Sequence, residues 1–207
     1  MIHRRQLGLE QNISSYNKIA DWWDETRRTK PVDPCIVSLA DRLPDNASVL
    51  DIGCGSGSPI DVFLAGRQFR VTGIDPSEKM LEKAISLNLG MARFYCTDLF
   101  GFETGETFDA VIAFDSIFHI PFELQKNIYP KVSAFLKQNG FFLFTHGKKS
   151  GTVHGTMHGE PFSYSALDQE ILKNELNSSG FDIVEFHEDY QDPVTGTRDV
   201  LVLAKKR

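Results

Sequence analysis

A glycine-rich run is the first feature of the sequence with clear chemical potential. Glycine stands at positions 53, 55 and 57, directly after an apolar stretch that contains Asp51. A backbone without Cβ atoms turns tightly and lets a ligand approach closely, and a helix that follows offers free N–H groups to anionic ligand atoms. The dinucleotide pattern G-x-G-x-x-G would need glycine at position 58, where this chain has Ser58. The run therefore indicates a nucleotide-like ligand other than a dinucleotide, and a glycine-rich turn without a ligand is the alternative.

Further polar residues follow later apolar stretches. Asp75 and Asp98 come at the ends of two of them, and Asp115 and His119 follow a third. Carboxylates accept hydrogen bonds from ligand hydroxyl and amino groups, and histidine titrates near neutral pH. Because ligands of open α/β sheets bind beyond the carboxyl ends of the strands, we expect these side chains to face one site.

The elements that position these residues alternate between strand and helix. Apolar stretches predict strands at 49–52, 69–74, 92–96, 108–114 and 140–145, and a closing hairpin at 181–188 and 200–204. Helical patterns lie between most of them, and the strands are apolar on both faces, which is typical of a parallel sheet covered by helices. The sequence therefore predicts an α/β fold, a three-layer Rossmann-like sandwich. Its sheet is expected to be seven-stranded and mainly parallel, with a C-terminal antiparallel hairpin and helices on both faces.

Two regions depart from this alternation. Residues 12–28 have the spacing of an amphipathic helix, and a shorter helix is expected at 35–42. Residues 152–162 contain two glycines and are expected to form a mobile loop, with the last helix at 165–179.

The length suits one domain, since domains usually run to about 100–200 residues. We expect a single domain over residues 1–207. Within it, residues 1–45 would form an N-terminal helical lid or extension and residues 46–207 the α/β core.

Four short motifs follow the predicted strands in order. They read VLDIGCGSG at 49–57, IDPS at 74–77, CTDL at 96–99 and FDAVIAFD at 108–115. In order and spacing these motifs resemble those of the class I S-adenosylmethionine-dependent methyltransferases, and the likeness covers roughly residues 45–146. The resemblance implies S-adenosylmethionine as cofactor and a reaction that transfers its methyl group.

The resemblance also implies which residues hold the cofactor. Asp75 would accept hydrogen bonds from both ribose hydroxyls, Asp98 would take the adenine amine beside Leu99, and Asp51 would face the amino-acid end. The alternatives are that Asp75 is a surface turn residue, Asp98 the N-cap of a short helix, and Asp51 a structural turn residue. The full set of expected cofactor-binding residues is Asp51, Gly53, Cys54, Gly55, Gly57, Asp75, Pro76, Asp98, Leu99 and Phe114.

Candidate catalytic residues are His119, Asp115 and Tyr16. Methyl transfer from a sulfonium depends on proximity and orientation, and a base is needed only if the acceptor is protonated. His119 is the best placed for a base, and the alternative is a histidine that packs beneath the cofactor or hydrogen-bonds to the backbone. Tyr16 could reach the site from the N-terminal helix or belong to an ordinary apolar helix face.

The net charge, and the absence of certain motifs, reduce the classes of methyl acceptor that the sequence allows. After the fourth strand the residues are Phe114-Asp115-Ser116-Ile117, which is not the N/D-P-P-Y/F signature of enzymes that methylate nucleobase or glutamine nitrogens. The net charge of −6 weighs against a nucleic-acid partner. A small-molecule methyl acceptor is therefore the expected partner, with no nucleic acid and no membrane, and the oligomeric state stays open.

The cysteines, the histidines and the first ten residues bear on metal binding and on the cellular compartment. Three widely spaced cysteines form neither a disulfide framework nor a zinc pair, and residues 1–10 contain no apolar secretory segment. His154 and His158 stand four apart, but the glycines around them disfavour the helix that would align two metal ligands. We therefore expect no metal and a cytoplasmic location.

The sequence thus predicts transfer of the methyl group of S-adenosylmethionine to a small molecule by in-line displacement, releasing S-adenosylhomocysteine. Two other functions stay open: a non-catalytic protein that binds S-adenosylmethionine, and an NAD(P)-dependent oxidoreductase of the same general fold. Ser58 weighs against the oxidoreductase.

Overall fold

The computed structural model describes the backbone of residues 2–207 and the side chains of residues 8–207. The expectation that residues 1–10 carry no secretory segment therefore falls largely outside the described residues. The six helices of this part are α1 (Ile2–Arg28), α2 (Pro34–Ala40), α3 (Ile60–Gly66), α4 (Glu78–Ser86), α5 (Gln125–Phe135) and α6 (Gln169–Ser178). Its strands are β1 (Ser48–Ile52), β2 (Arg70–Asp75), β3 (Arg93–Cys96), β4 (Phe108–Ala113), β5 (Leu136–His146), β6 (Gly151–Met157), β7 (Glu160–Ala166), β8 (Phe181–Asp192) and β9 (Gly196–Lys206).

Seven strands form one sheet in the order β3-β2-β1-β4-β5-β9-β8. The first five are parallel, and β9 pairs antiparallel with both β5 and β8. The predicted α/β class, with its mainly parallel seven-stranded sheet and closing hairpin, is confirmed. The strand order reverses at β1, which pairs with β2 on one side and β4 on the other, and ligands of such sheets bind at this switch point.

The core lies on both faces of the sheet because successive strand residues point to opposite faces. In β1, Val49 belongs to a buried cluster with Ile36 and Leu39 of α2, while its neighbour Leu50 packs in the other cluster with Ile128 of α5. Each such fully buried aliphatic side chain contributes roughly 1.5–3 kcal/mol. Continuous burial of β1 fixes the register that brings its carboxyl end to the switch point.

Residues 151–166 correct one expectation from the sequence. They form a two-stranded antiparallel hairpin, β6–β7, instead of a loop, and the last helix begins at Gln169 instead of residue 165. Both turn residues, His158 and Gly159, have positive φ, as the tightest hairpin turns require. The β-branched residues Thr152, Val153 and Thr156 were the signal for a strand, which the nearby glycines obscured.

Helix α1 lies across the carboxyl end of the sheet and is tied to it by polar contacts. The Asn17 Oδ1 accepts from the Ser77 hydroxyl at 2.8 Å and from the Lys79 N–H at 3.1 Å, at the start of α4. Asn12 exchanges two hydrogen bonds of 2.9 Å with the backbone of Ser163 in β7. Among helices within the described residues, none combines the length and apolar character needed to cross a membrane.

Candidate active site

A cavity lies at the switch point, between the carboxyl ends of β1, β2 and β4 and beneath α1. Its volume is about 130 Å³. Of the predicted cofactor residues, nine line it: Asp51, Gly53, Cys54, Gly55, Asp75, Pro76, Asp98, Leu99 and Phe114. The three predicted catalytic residues Tyr16, Asp115 and His119 line it as well.

Gly57 is the exception, and the structure gives a packing reason for it. A Cβ at this position would lie 3.0 Å from the Leu87 Cδ1 and 3.4 Å from the Ala84 Cβ, so the glycine serves close packing behind the loop. Both glycines have a positive φ, +75° at Gly53 and +77° at Gly57, but Gly53 also lines the cavity, and its added Cβ would lie 2.4 Å from the Ser116 Cβ. The glycine-rich loop therefore both bounds the cavity and packs against its surroundings.

Asp75 ends β2 and is buried at the cavity wall. Its Oδ1 accepts the Ser77 N–H at 2.8 Å and its Oδ2 accepts the Gly55 N–H at 3.0 Å. Burial raises the pKa of Asp75 to about 6, against the lowering effect of these two hydrogen bonds. The alternative of a surface turn residue is wrong, and each oxygen keeps a second lone pair for a ligand.

Asp98 combines a structural contact with a position at the cavity. Its Oδ1 accepts the N–H groups of Phe100 at 2.8 Å and Gly101 at 2.7 Å, and these bonds close a turn. No helix of the described chain begins there, so the alternative of an N-cap is wrong. The side chain also lines the cavity together with buried Leu99, and the oxygen that makes no turn bond is available to a ligand amine.

His119 and Tyr16 form a pair at the α1 side of the cavity. The Tyr16 hydroxyl lies 2.8 Å from His119 Nε2, and His119 Nδ1 lies 3.1 Å from both the Ser163 carbonyl and the Asn12 amide nitrogen. Burial lowers the pKa of His119 to about 4 and raises the pKa of Tyr16. Both side chains are therefore neutral at physiological pH, and their hydrogen bonds hold them in place.

Asp115 follows β4 in a left-handed conformation, with φ +54°. Its Oδ2 accepts from the Arg198 Nη2 at 2.9 Å, and its Oδ1 from the Arg198 Nε at 3.2 Å. Thr145 of β5 accepts the Asp115 N–H at 2.8 Å, which fixes the turn. A carboxylate paired in this two-pronged way is strongly oriented.

Arg27 is a cavity residue that sequence reasoning missed. Its guanidinium stacks 4.3 Å above the Trp23 ring, and within the described side chains no carboxylate forms an ion pair with it. Burial lowers the pKa of Arg27. Tyr16, Trp23 and Arg27 recur at spacings of seven and four, so they share one face of α1, and this spacing was the available signal.

A second cavity of about 580 Å³ adjoins the first and shares Asp115 with it. Phe118, Tyr164 and Val153 provide aromatic and apolar walls, and Arg198 and Lys148 lie at the polar end. The Phe118 and Tyr164 rings each lie about 5 Å from His119, at 4.8 Å and 5.1 Å between centroids. The second cavity therefore abuts the Tyr16–His119 pair. Across the described chain, no cluster of three or more His, Cys, Asp or Glu suited to a metal ion is found.

Residues 49–140 match the family model of a methyltransferase domain. A protein of Geobacillus sp. (strain WCH70) that bears a methyltransferase name is 29% identical over 76% of this chain and 66% of its own length. Trans-aconitate 2-methyltransferase of Enterobacter sp. (strain 638) is 31% identical over 55% of this chain and 43% of its own length. The matched part of this chain thus spans just under two thirds of the first relative and less than half of the second.

Solved structures show the same fold. Magnesium protoporphyrin IX methyltransferase from Synechocystis PCC 6803, crystallised with S-adenosylhomocysteine, superposes with a TM-score of 0.72. The alignment covers 97% of this chain and 100% of that one at 21% identity. With the motifs gathered at the switch point, residues 49–140 match a methyltransferase domain, and the chain has the fold of solved S-adenosylmethionine-dependent methyltransferases.

Proposed function

We propose that this protein transfers the methyl group of S-adenosylmethionine to a small-molecule acceptor. The observation that carries the proposal is the convergence of Asp51, Asp75 and Asp98 on one cavity at the switch point, beside the glycine-rich loop. The cofactor, when bound, supplies an electrophilic methyl group on a good leaving group. The protein then contributes mainly position and orientation.

The residues present fit this cofactor from end to end. Asp98 and Leu99 would hold the adenine, and Asp75 the ribose hydroxyls, because both carboxylates keep a free lone pair at the cavity. At the other end Asp51 would meet the cationic amino group. Arg27, which has no ion-pair partner in the described chain, would meet the carboxylate.

We place the acceptor in the second cavity. It shares Asp115 with the cofactor cavity, and its aromatic walls at Phe118 and Tyr164 suit a flat or apolar body. Its volume of about 580 Å³ is that of a small-molecule site. The relatives' names point the same way, since trans-aconitate and magnesium protoporphyrin IX are both small molecules.

The Tyr16–His119 pair favours an acceptor whose lone pair is already free. A histidine with a pKa of about 4 is only weakly basic, so it would remove few protons from an alcohol or a protonated amine. We infer that His119 orients Tyr16 at the methyl-transfer position and that the acceptor arrives as a carboxylate or neutral amine. Asp115, held by Arg198, would position the acceptor at the boundary of the two cavities.

Calorimetry with S-adenosylhomocysteine tests the cofactor proposal. Asp75→Asn should weaken binding by about 10-fold or more, because a lost hydrogen bond to a charged group costs roughly 1.5–3 kcal/mol. The exposed Asp45→Asn is the matched control and should bind like the wild type. If the wild type binds neither S-adenosylmethionine nor S-adenosylhomocysteine, the proposal fails.

A by-product assay tests the acceptor. Release of S-adenosylhomocysteine should be seen with carboxylic acids or neutral amines from a matched panel that also contains alcohols and phenols. Activity confined to alcohols would contradict the proposed role of His119. Cofactor binding without turnover on any member would favour the non-catalytic alternative.

A further inference from the structure

Asp61 is a buried carboxyl group that the proposed function does not use. It lies in the first turn of α3, is fully buried, and is absent from the cavity wall. Neither of its oxygens accepts a hydrogen bond from an N–H or O–H group of the described residues. An ionised carboxylate left in such a place is strongly disfavoured, and the usual outcome is that the group keeps its proton.

The polar neighbour of Asp61 is Asp51. The two carboxyl groups lie close enough for a hydrogen bond if one of them carries a proton, and Asp51 also lines the cofactor cavity. The other titratable groups facing the pair are Cys54 of the glycine-rich loop and Asp75 of β2, and neither brings positive charge. In the described chain no Lys, Arg or His forms an ion pair with Asp51 or Asp61.

One local effect opposes a proton on Asp61. The N-terminus of a helix favours a negative charge, and Asp61 lies there. Its oxygens, however, accept none of the free N–H groups of that turn, so the short helix gives little compensation. Burial and the neighbouring Asp51 charge together raise the pKa of Asp61 well above its usual range.

We propose that Asp61 keeps its proton and donates a hydrogen bond through it to Asp51, as a positioning residue for the carboxylate that faces the cofactor's amino-acid end. The pair then carries a single negative charge, on Asp51, opposite the single positive charge of the amino group. In some enzyme sites burial keeps a carboxylic acid neutral, so that it can donate a hydrogen bond. The functional part of this inference rests on the proposed cofactor site, whereas the protonation of Asp61 does not.

Infrared spectroscopy tests the protonation on the protein alone. At about pH 8 ordinary carboxyl groups, with pKa values near 4, are ionised. The wild type should retain the carbonyl stretch of one protonated carboxylic acid, and Asp61→Asn should lose it. The exposed control Asp45→Asn should leave the band unchanged. Absence of the band from the wild type, or its survival in Asp61→Asn, would overturn the proposal.

Two variants test the positioning role. In Asp61→Asn the amide can still donate to Asp51, so the affinity for S-adenosylhomocysteine should stay within about 3-fold of the wild type. In Asp61→Leu, which fills a similar volume without a donor, the affinity should fall by about 10-fold or more. Equal affinities of the two variants would refute the positioning role.

The two proposals fail separately. If the wild type binds no S-adenosylhomocysteine, the cofactor site fails while the infrared band still reports on Asp61. If the wild type binds and the band is absent, the Asp61 proposal fails and the cofactor site stands. Should Asp61→Leu not fold, the wild-type band and its loss in Asp61→Asn still decide the protonation.

Discussion

Burial at the switch point sets the protonation of the residues that would meet the cofactor. Asp51 and Asp75 have pKa values of about 7 and about 6, raised in both cases chiefly by burial. Since both pKa values lie above those of the unfolded chain, their contribution to stability is present at acidic pH and is lost as the pH rises toward 7. At neutral pH the ionised carboxylates Asp51 and Asp75 therefore lower the stability of the empty protein, and the same negative charges can bind a cationic ligand.

This balance predicts a pH dependence of cofactor affinity. A cationic amino group favours the ionised forms, so the affinity for S-adenosylhomocysteine should rise by up to about 30-fold between about pH 5.5 and about pH 8, as the ionised fraction of Asp51 grows. Calorimetry across this pH range measures the affinity. In Asp51→Asn the affinity should depend less steeply on pH than in the wild type. An affinity that falls with pH would contradict the assignment of Asp51 and Asp75.

Arg27 supplies the second residue-scale prediction. Arg27→Gln should weaken S-adenosylhomocysteine binding by about 10-fold or more, because it removes a charge-assisted hydrogen bond to the carboxylate. Lys30→Gln, an exposed neighbour just beyond α1, is the charge-matched control. If both variants bind equally well, Arg27 has another role.

At the scale of elements, α1 covers the cavity at the switch point. The cavity beneath it, about 130 Å³, is smaller than the roughly 300–1,000 Å³ of typical ligand sites. Polar contacts through Asn12 and Asn17, the ion pairs of Lys18 with Glu160 and Asp21 with Lys83, and the packing of buried Ile19 and Ala20 keep α1 in place. We therefore propose that α1 moves away to admit the cofactor and closes again over it.

Hydrogen exchange can detect this motion. Asn12→Leu removes the two bonds to Ser163, so amides of α1 and of β7 should exchange faster than in the wild type. Lys18→Ala, which removes only an exposed ion pair, should change little. S-adenosylhomocysteine should slow exchange in α1, and an unchanged pattern on ligand addition would argue against a lid.

At the scale of the whole molecule, the buried clusters on the two faces of the sheet pack against the parallel strands whose carboxyl ends form the site. A ligand that binds only the folded state stabilises it by about 2.7 kcal/mol at 100 times its dissociation constant. For a chain of this size the melting temperature should then rise by roughly 5–10 °C. Thermal denaturation with S-adenosylhomocysteine measures the shift, and NADH should give none. A larger shift with NADH would favour the oxidoreductase alternative.

The local pattern of the sequence determined the sheet, the glycine-rich loop and the carboxylates at the strand ends. Apolar runs fix which residues are buried in β1 and β4, and the residue that follows a strand must lie at its carboxyl end. Asp75, Asp98 and Asp115 could therefore be placed without the structure. The hairpin β6–β7 could not, because glycines at 151, 155 and 159 resemble a loop until the two strands pair.

Contacts between residues distant in sequence were decided by the tertiary structure alone. Nothing in the local pattern places Asn12 against Ser163, Tyr16 against His119, or Asp61 of α3 against Asp51 of β1. Periodicity tells which face of an element is buried but not which element covers it. The protonation states follow from that covering, since burial is what shifts the pKa values of Asp51, Asp61 and His119. The sequence by itself therefore determined the methyltransferase motifs and the carboxylates at the strand ends, while packing decided which helix covers the cavity, where the second cavity lies and how the site is charged.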